Sequence, residues 1–215
     1  MTTTIKRIVL ALVVLALPVA WLWLFQERPP EPPTPPPAKV VQPKHKRMIT
    51  VPVPTNDVRI GRQAVIETGK GNIIVGLYEK DAKITTKNFI SLVESEFYDG
   101  LIFHRVEPGT VIQTGDPTGT GSGGSEKTIP LEASPALNYN TEGMLGMART
   151  YDPNSASSQF FINLKPYPAW NKNYAVFGKV LKGMDVAKLI RVGDKVNSIY
   201  LIPTSKQSAP DRRGT

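Results

Sequence analysis

The stretch Leu101-Ile102-Phe103-His104-Arg105-Val106-Glu107-Pro108-Gly109-Thr110-Val111-Ile112-Gln113-Thr114-Gly115-Asp116 decides how this chain of 215 residues is read. Two apolar runs, 101–106 and 110–114, lie either side of Pro108-Gly109 and are rich in Val, Ile and Phe, as strands are. Each carries a polar group that an apolar strand should lack. Arg105 ends Phe103-His104-Arg105, and Gln113 interrupts Val111-Ile112. Gln159 opens Gln159-Phe160-Phe161 in the same way. A buried or cleft-lining arginine with two amides is costly unless each finds partners. Those partners are either a structural network or the backbone of a peptide held in a groove.

Working outward, the segments from about residue 57 onward are short and separated by turns. Runs 64–68 and 72–78 flank Gly69-Lys70-Gly71, a hairpin pattern. Residues 144–148, 159–163, 174–181 and 196–202 complete eight strand candidates. Two segments have helical period instead. In 81–97, Phe89, Leu92, Val93 and Phe97 recur at three- and four-residue steps, with Asp81 as the expected N-cap. In 184–191, Val186, Leu189 and Ile190 share a face, with Asp185 early and Lys188 and Arg191 late, as the helix dipole prefers. The expected fold class is mostly β: a closed eight-stranded antiparallel barrel capped by two helices.

The N-terminal quarter reads differently. Residues 8–25 form an apolar run of 18 residues after Lys6 and Arg7, close to the ~20 that span a bilayer as a helix. An uncleaved transmembrane anchor over 1–28 is the expectation. A cleaved signal peptide and a core helix are the alternatives. Pro18-Val19-Ala20 makes a poor cleavage site, and Trp21 and Trp23 suit an interfacial belt. The anchor would place the domain outside a bacterial cytoplasmic membrane, facing the periplasm or exterior. Residues 29–37 read PPEPPTPPP, which enforces polyproline II, and a proline-rich basic linker is expected over 29–56. The domain then covers 57–204, with a polar tail at 205–215.

Composition excludes several chemistries. Cysteine is absent, which removes disulfides, thiolate metal sites and cysteine nucleophiles. With only His45 and His104, a multi-histidine metal centre is not expected. The net charge of +8 divides unevenly: residues 1–56 hold seven Lys/Arg against two Asp/Glu, and the remainder 19 against 16. The folded part is therefore nearly balanced, and a nucleic-acid partner loses its main support. No GxSxG elbow occurs, and Gly119-Thr120-Gly121-Ser122-Gly123-Gly124 lacks the following GK[ST] of a phosphate loop, so it reads as flexible.

The motif residues resemble the cyclophilins. Phe103-His104-Arg105 with Pro108-Gly109 and Gln113-Thr114-Gly115-Asp116 is similar to their FHR…PG…Q.GD signature. Met147-Ala148-Arg149-Thr150, then 153–163 and 176–180, are similarly close, especially to the bacterial branch, in family order over roughly residues 60–203. The resemblance implies a peptidyl-prolyl cis-trans isomerase that needs no metal or cofactor and acts on proline-containing polypeptides. Arg105 matches the catalytic arginine. Phe161 and Val111 match the proline pocket, and Gln113 the glutamine that bonds substrate backbone. Ala148 and Arg149 match the residues whose main chain aligns the peptide, and Gln159 a second groove glutamine. Thr110 stands where a phenylalanine usually walls the pocket, and Tyr174 replaces a histidine. Trp170 falls beside the position that matters for cyclosporin, for which weak binding is expected. His104 is expected to be structural. An alternative keeps the fold as a catalytically weak module that holds prolyl segments, and a general holdase is a third reading.

Overall fold

The computed structural model describes residues 52–203. The expected anchor over 1–28, the linker up to residue 51 and the tail at 205–215 lie outside the described residues. Among the described residues no helix is long and apolar enough to cross a membrane.

Eight strands form one sheet: β1 (Gln63–Thr68), β2 (Gly71–Leu77), β3 (Arg105–Glu107), β4 (Val111–Thr114), β5 (Met144–Met147), β6 (Phe160–Asn163), β7 (Val176–Lys182) and β8 (Val196–Leu201). All neighbours pair antiparallel, in the order β3-β4-β6-β5-β7-β2-β1-β8. The expected closed barrel is corrected here to an open, curled sheet whose edges are β3 and β8. No ladder joins those edges. The first apolar run was expected to be strand from residue 101, but only 105–107 pairs with β4. Residues 100–103 instead exchange backbone hydrogen bonds with 193–196, around one isolated bridge from Ile102 to Lys195.

Alternation along the strands decides what faces inward. In β6, Phe160 and Ile162 point to one face and Phe161 and Asn163 to the other, and all four are buried. Phe160 meets Phe89 and Tyr98 edge-on at 5.4 Å each, and Phe177 lies 5.2 Å from Phe89. Each such ring contributes roughly 1.5–3 kcal/mol by leaving water. Helix α1 (Lys83–Glu94) brings Phe89 there, burying Thr85, Thr86, Ile90 and Val93 along one face.

The start of α1 departs from expectation. Its N-cap residue is Ala82, not Asp81, and no local side chain caps it. Glu132 does so from a distant loop. Its carboxylate accepts from the amides of Ile84 (3.1 Å) and Thr85 (2.9 Å) and from the Thr85 hydroxyl (2.9 Å). A negative charge at the N-terminus satisfies orphan donors and complements the dipole. Helix α2 (Met184–Leu189) begins after Gly183 and carries Asp185 and Lys188 at the dipole-favoured ends, as expected. At the chain entry, Val53 and the Gln63 amide exchange two hydrogen bonds, so packing reaches back to residue 53.

Candidate active site

The pairing register assembles a row of side chains on the outer face of the sheet. Arg105 on β3 lies opposite Gln113 on β4, Gln113 opposite Phe161 on β6, and Phe161 opposite Gly146 on β5. A one-residue slip in any pairing would send its member of the row to the core. Val111 joins from the same face of β4, two residues before Gln113.

Gly146 has a steric reason to be glycine. A Cβ there would run into the Phe161 ring and the Tyr139 hydroxyl. Its absence lets Phe161 lie flat across β5, stacked on Tyr139 at 5.8 Å and 24°. Trp170, from a short 3-10 helix (Pro168–Trp170), meets Phe161 edge-on at 5.1 Å. Tyr174 meets it perpendicular at 5.6 Å. The outcome is a cavity of about 150 Å³ lined by Arg105, Val111, Gln113, Ala148, Arg149, Phe161, Trp170 and Tyr174. Its wall is aromatic, and its rim carries two guanidinium groups.

Arg105 is half-exposed and held from both sides. Its Nη1 donates to Gln113 Oε1 at 3.1 Å, and its Nε (3.0 Å) and Nη2 donate to Glu107 Oε1. Three of the five guanidinium N–H groups are thereby used, leaving one on each terminal nitrogen for a ligand. Gln113 Nε2 donates onward to Gln159 Oε1 at 2.8 Å. Gln159 Nε2 in turn donates to the carbonyls of Gly121 (2.9 Å) and Gly123 (2.7 Å). The arginine–amide set is thus one relay that runs from β3 to the glycine loop.

That loop is not the flexible segment its composition implied. The buried Asp116 carboxylate accepts from the Thr118 amide and hydroxyl and from the amides of Gly121 and Gly123. Burial pushes the Asp116 carboxyl up, but these hydrogen bonds outweigh it and hold it below the usual aspartate range. Gly115 opens the loop with φ +93°, and a Cβ there would strike the Ser158 carbonyl.

A second cavity, of about 490 Å³, adjoins the first. Gln113, Ala148 and Arg149 line both, and the glycine loop, Gln159 and several hydroxyls enclose the larger one. Of the expected site residues, eight line the aromatic cavity and Gln159 lines the polar one. Thr110 lines neither. It closes the β3–β4 turn, its amide donating to Glu107 O and its carbonyl accepting from Leu164. His104 is partly buried beside Gly121, immediately before β3. Burial pulls its pKa below the ordinary histidine value, against the charge of Asp116, which raises it. Sequence reasoning missed Tyr139, Gly146 and Glu107. Only Glu107 left a local signal, two residues from Arg105 on one strand and so on one face.

Comparison with known proteins agrees with this architecture. Residues 63–209 match the family model described as cyclophilin type peptidyl-prolyl cis-trans isomerase/CLD. The chain is 45% identical over 146 residues to a peptidyl-prolyl cis-trans isomerase of Acinetobacter baylyi, covering 65% of this chain and 72% of that one. It is 43% identical over 126 residues to the isomerase ppi1 of Schizosaccharomyces pombe, covering 57% and 81% respectively. The peptidyl-prolyl isomerase CWC27 of Cryptococcus neoformans is 37% identical over 151 residues, but this chain spans only 29% of its length. A crystal structure of a cyclophilin type isomerase from Cryptosporidium parvum superposes with a TM-score of 0.62 at 30% identity, covering 66% of this chain and 98% of that one.

Proposed function

The chain belongs to the cyclophilin-type peptidyl-prolyl cis-trans isomerase family, and we propose that it accelerates rotation about X–Pro bonds in protein substrates. The observation that carries this reading is Arg105, fixed between Glu107 and Gln113 at the mouth of the aromatic cavity.

The reaction makes and breaks no covalent bond. Its barrier is amide resonance, ~18–20 kcal/mol for a peptide bond. Rotation turns the proline nitrogen from planar to pyramidal and gives it a lone pair. The substrate proline enters between Val111, Phe161, Trp170 and Tyr174. A free Arg105 N–H then donates to that nitrogen. The bond exists only in the twisted state, so it lowers the barrier without equally stabilising either planar ground state. Gln113 holds the guanidinium and offers its amide to substrate backbone, and the main chain at Ala148 and Arg149 aligns the peptide in extended form. No step transfers a proton, so His104 is not required.

The setting is part of the proposal. Residues 8–25 anchor the chain in a bacterial cytoplasmic membrane, and the proline-rich linker holds the domain on the outer side. Its substrates are exported or envelope polypeptides with exposed prolines. What supports the anchor is the uninterrupted apolar run, its tryptophans and the stalk composition.

The test is exchange NMR on an X–Pro peptide with the full chain and with Arg105→Ala. We expect line-broadening exchange that falls by about a hundredfold in the variant, the range for one transition-state donor. Peptide binding without any enhanced exchange would favour the second reading, a prolyl-binding module. That reading draws on Thr110, which leaves the aromatic cavity one wall short of the family's usual phenylalanine.

A further inference from the structure

We propose that Arg149 makes this isomerase selective for prolines flanked, within two residues, by an acidic side chain. The inference rests on the isomerase reading above and names the substrate class of that same groove.

Arg149 stands on the ridge between the two cavities and lines both. A peptide whose proline fills the aromatic cavity must lay a neighbouring side chain into the polar one. The wall of that larger cavity has a distinctive charge composition. It contains two amides, the hydroxyls of Ser122, Ser125, Thr150, Ser155 and Ser157, and glycine backbone, but no carboxylate and no lysine. Arg149 is its one charged group. With the Asp116 carboxylate engaged behind the loop by the Gly121 and Gly123 amides, the lining itself presents one positive group among hydroxyls, which suits a carboxylate better than an ammonium.

The guanidinium is also pre-organised. Its Nε donates to the Asn173 carbonyl at 2.9 Å, and its Nη1 to the Thr150 carbonyl at 2.8 Å. Its carbon lies 5.1 Å from the centroid of the Tyr174 ring. These contacts are to neutral groups. Among the described residues Arg149 has no ion-pair partner, and Nη2 makes no hydrogen bond. Arg105 contrasts with it, since Glu107 already neutralises that charge. Held in place by carbonyls and a ring, Arg149 loses little entropy when a carboxylate arrives.

The test compares peptides with Glu, Gln or Lys two residues before the proline, and a second series with the same residues after it. Exchange NMR at low salt gives kcat/KM for the full chain, for Arg149→Gln and for Ser122→Asp. The last variant puts a fixed carboxylate into the same cavity while leaving Arg149 intact. We expect Glu to exceed Lys by about fivefold in one series, the size of a partly exposed ion pair. The ratio should fall towards one in both variants and at high salt. The series that shows it reports which way the chain lies. Equal rates for Glu and Lys in both series, with the Gln peptide still accelerated, would overturn the selectivity and leave the isomerase intact. A ratio that survives both variants would overturn it equally. No acceleration of any peptide would sink the isomerase reading itself.

Discussion

At the residue scale, the site depends on what holds Arg105 rather than on Arg105 alone. A free arginine samples many rotamers and loses that freedom on binding. Here Gln113 fixes one edge of the guanidinium and Glu107 the other. Arg105 and Glu107 are i and i+2 on β3, so the pleat places them side by side. Both side chains are about half-exposed, at 49% and 51%, so the pair adds little to stability. Its value lies in geometry. Glu107→Gln keeps the shape and one acceptor but loses the charge. We expect kcat to fall about two- to fivefold with KM little changed, because the proposed hydrogen bond from Arg105 to the twisted proline nitrogen is weakened. Glu107→Ala should lose somewhat more, while thermal unfolding stays nearly constant. A rise in kcat would show instead that Glu107 competes with substrate for the guanidinium. The reading of Arg105, Gln113 and Gln159 as one set was available from the sequence because polar residues interrupted apolar strands, whereas Phe161 entered through the family resemblance. Gly146 was not readable in that way. Its need arises only when β6 places the Phe161 ring over β5.

At the scale of elements, the strands were legible because turns and β-branched residues bound them locally. Seven of the eight expected segments coincide with an observed strand to within two residues at each end, and the eighth, 101–106, overlaps β3 only at 105–106. What escaped were features set by contacts distant in sequence. Asp81 looked like an N-cap because only neighbouring residues can be weighed in a linear reading. The helix is capped by Glu132, 47 residues from Thr85. The glycine run looked flexible partly for the same reason: Gln159 holds its Gly121 and Gly123 carbonyls from 38 and 36 residues away, while the Asp116 carboxylate anchors it locally. The missing closure between β3 and β8 is likewise a matter of which edge backbone meets which, and no residue type announces it. The Glu132 cap carries its own prediction. Glu132→Ala leaves two helix amides and the fully buried Thr85 hydroxyl without an acceptor. Loss of a cap costs about 1 kcal/mol, and an unpaired buried hydroxyl about as much again. Denaturant unfolding should therefore show a loss of about 2 kcal/mol with an unchanged m-value. Glu132→Gln, which retains one acceptor oxygen, should lose less. No change in midpoint would mean that water caps the helix equally well.

At the scale of the whole molecule, the titrating groups among the described residues that depart from ordinary values on the acid side shift in one direction. The Arg59 side chain holds Asp57 down to about 2, against burial that raises it, with Tyr78 as a further donor. Hydrogen bonds from Arg62 hold Glu79 low, and the glycine-loop donors do the same for Asp116. Burial lowers His104. For a group whose folded pKa is depressed, the unfolded chain binds the proton first, so its stabilisation is complete above the unfolded value. That stabilisation is lost as pH falls through the folded value. The unfolded reference is 6.5 for His104 and 3.8 for both aspartates. Acid should therefore weaken the fold in two stages. Tm should decline gently below about pH 6.5 as unfolded His104 gains a proton that the folded form resists. It should then drop more steeply below about pH 4, as Asp57, Glu79 and Asp116 follow. Activity should stay flat from neutral to mildly alkaline pH, because the proposed mechanism has no step that takes or gives a proton. Tm measured at closely spaced pH values on the full chain and on His104→Asn reads both stages. The variant should lose the gentle decline and keep the steep one. If the gentle stage persists in it, a group other than His104 titrates there, and the burial of that imidazole does not govern the neutral-side stability.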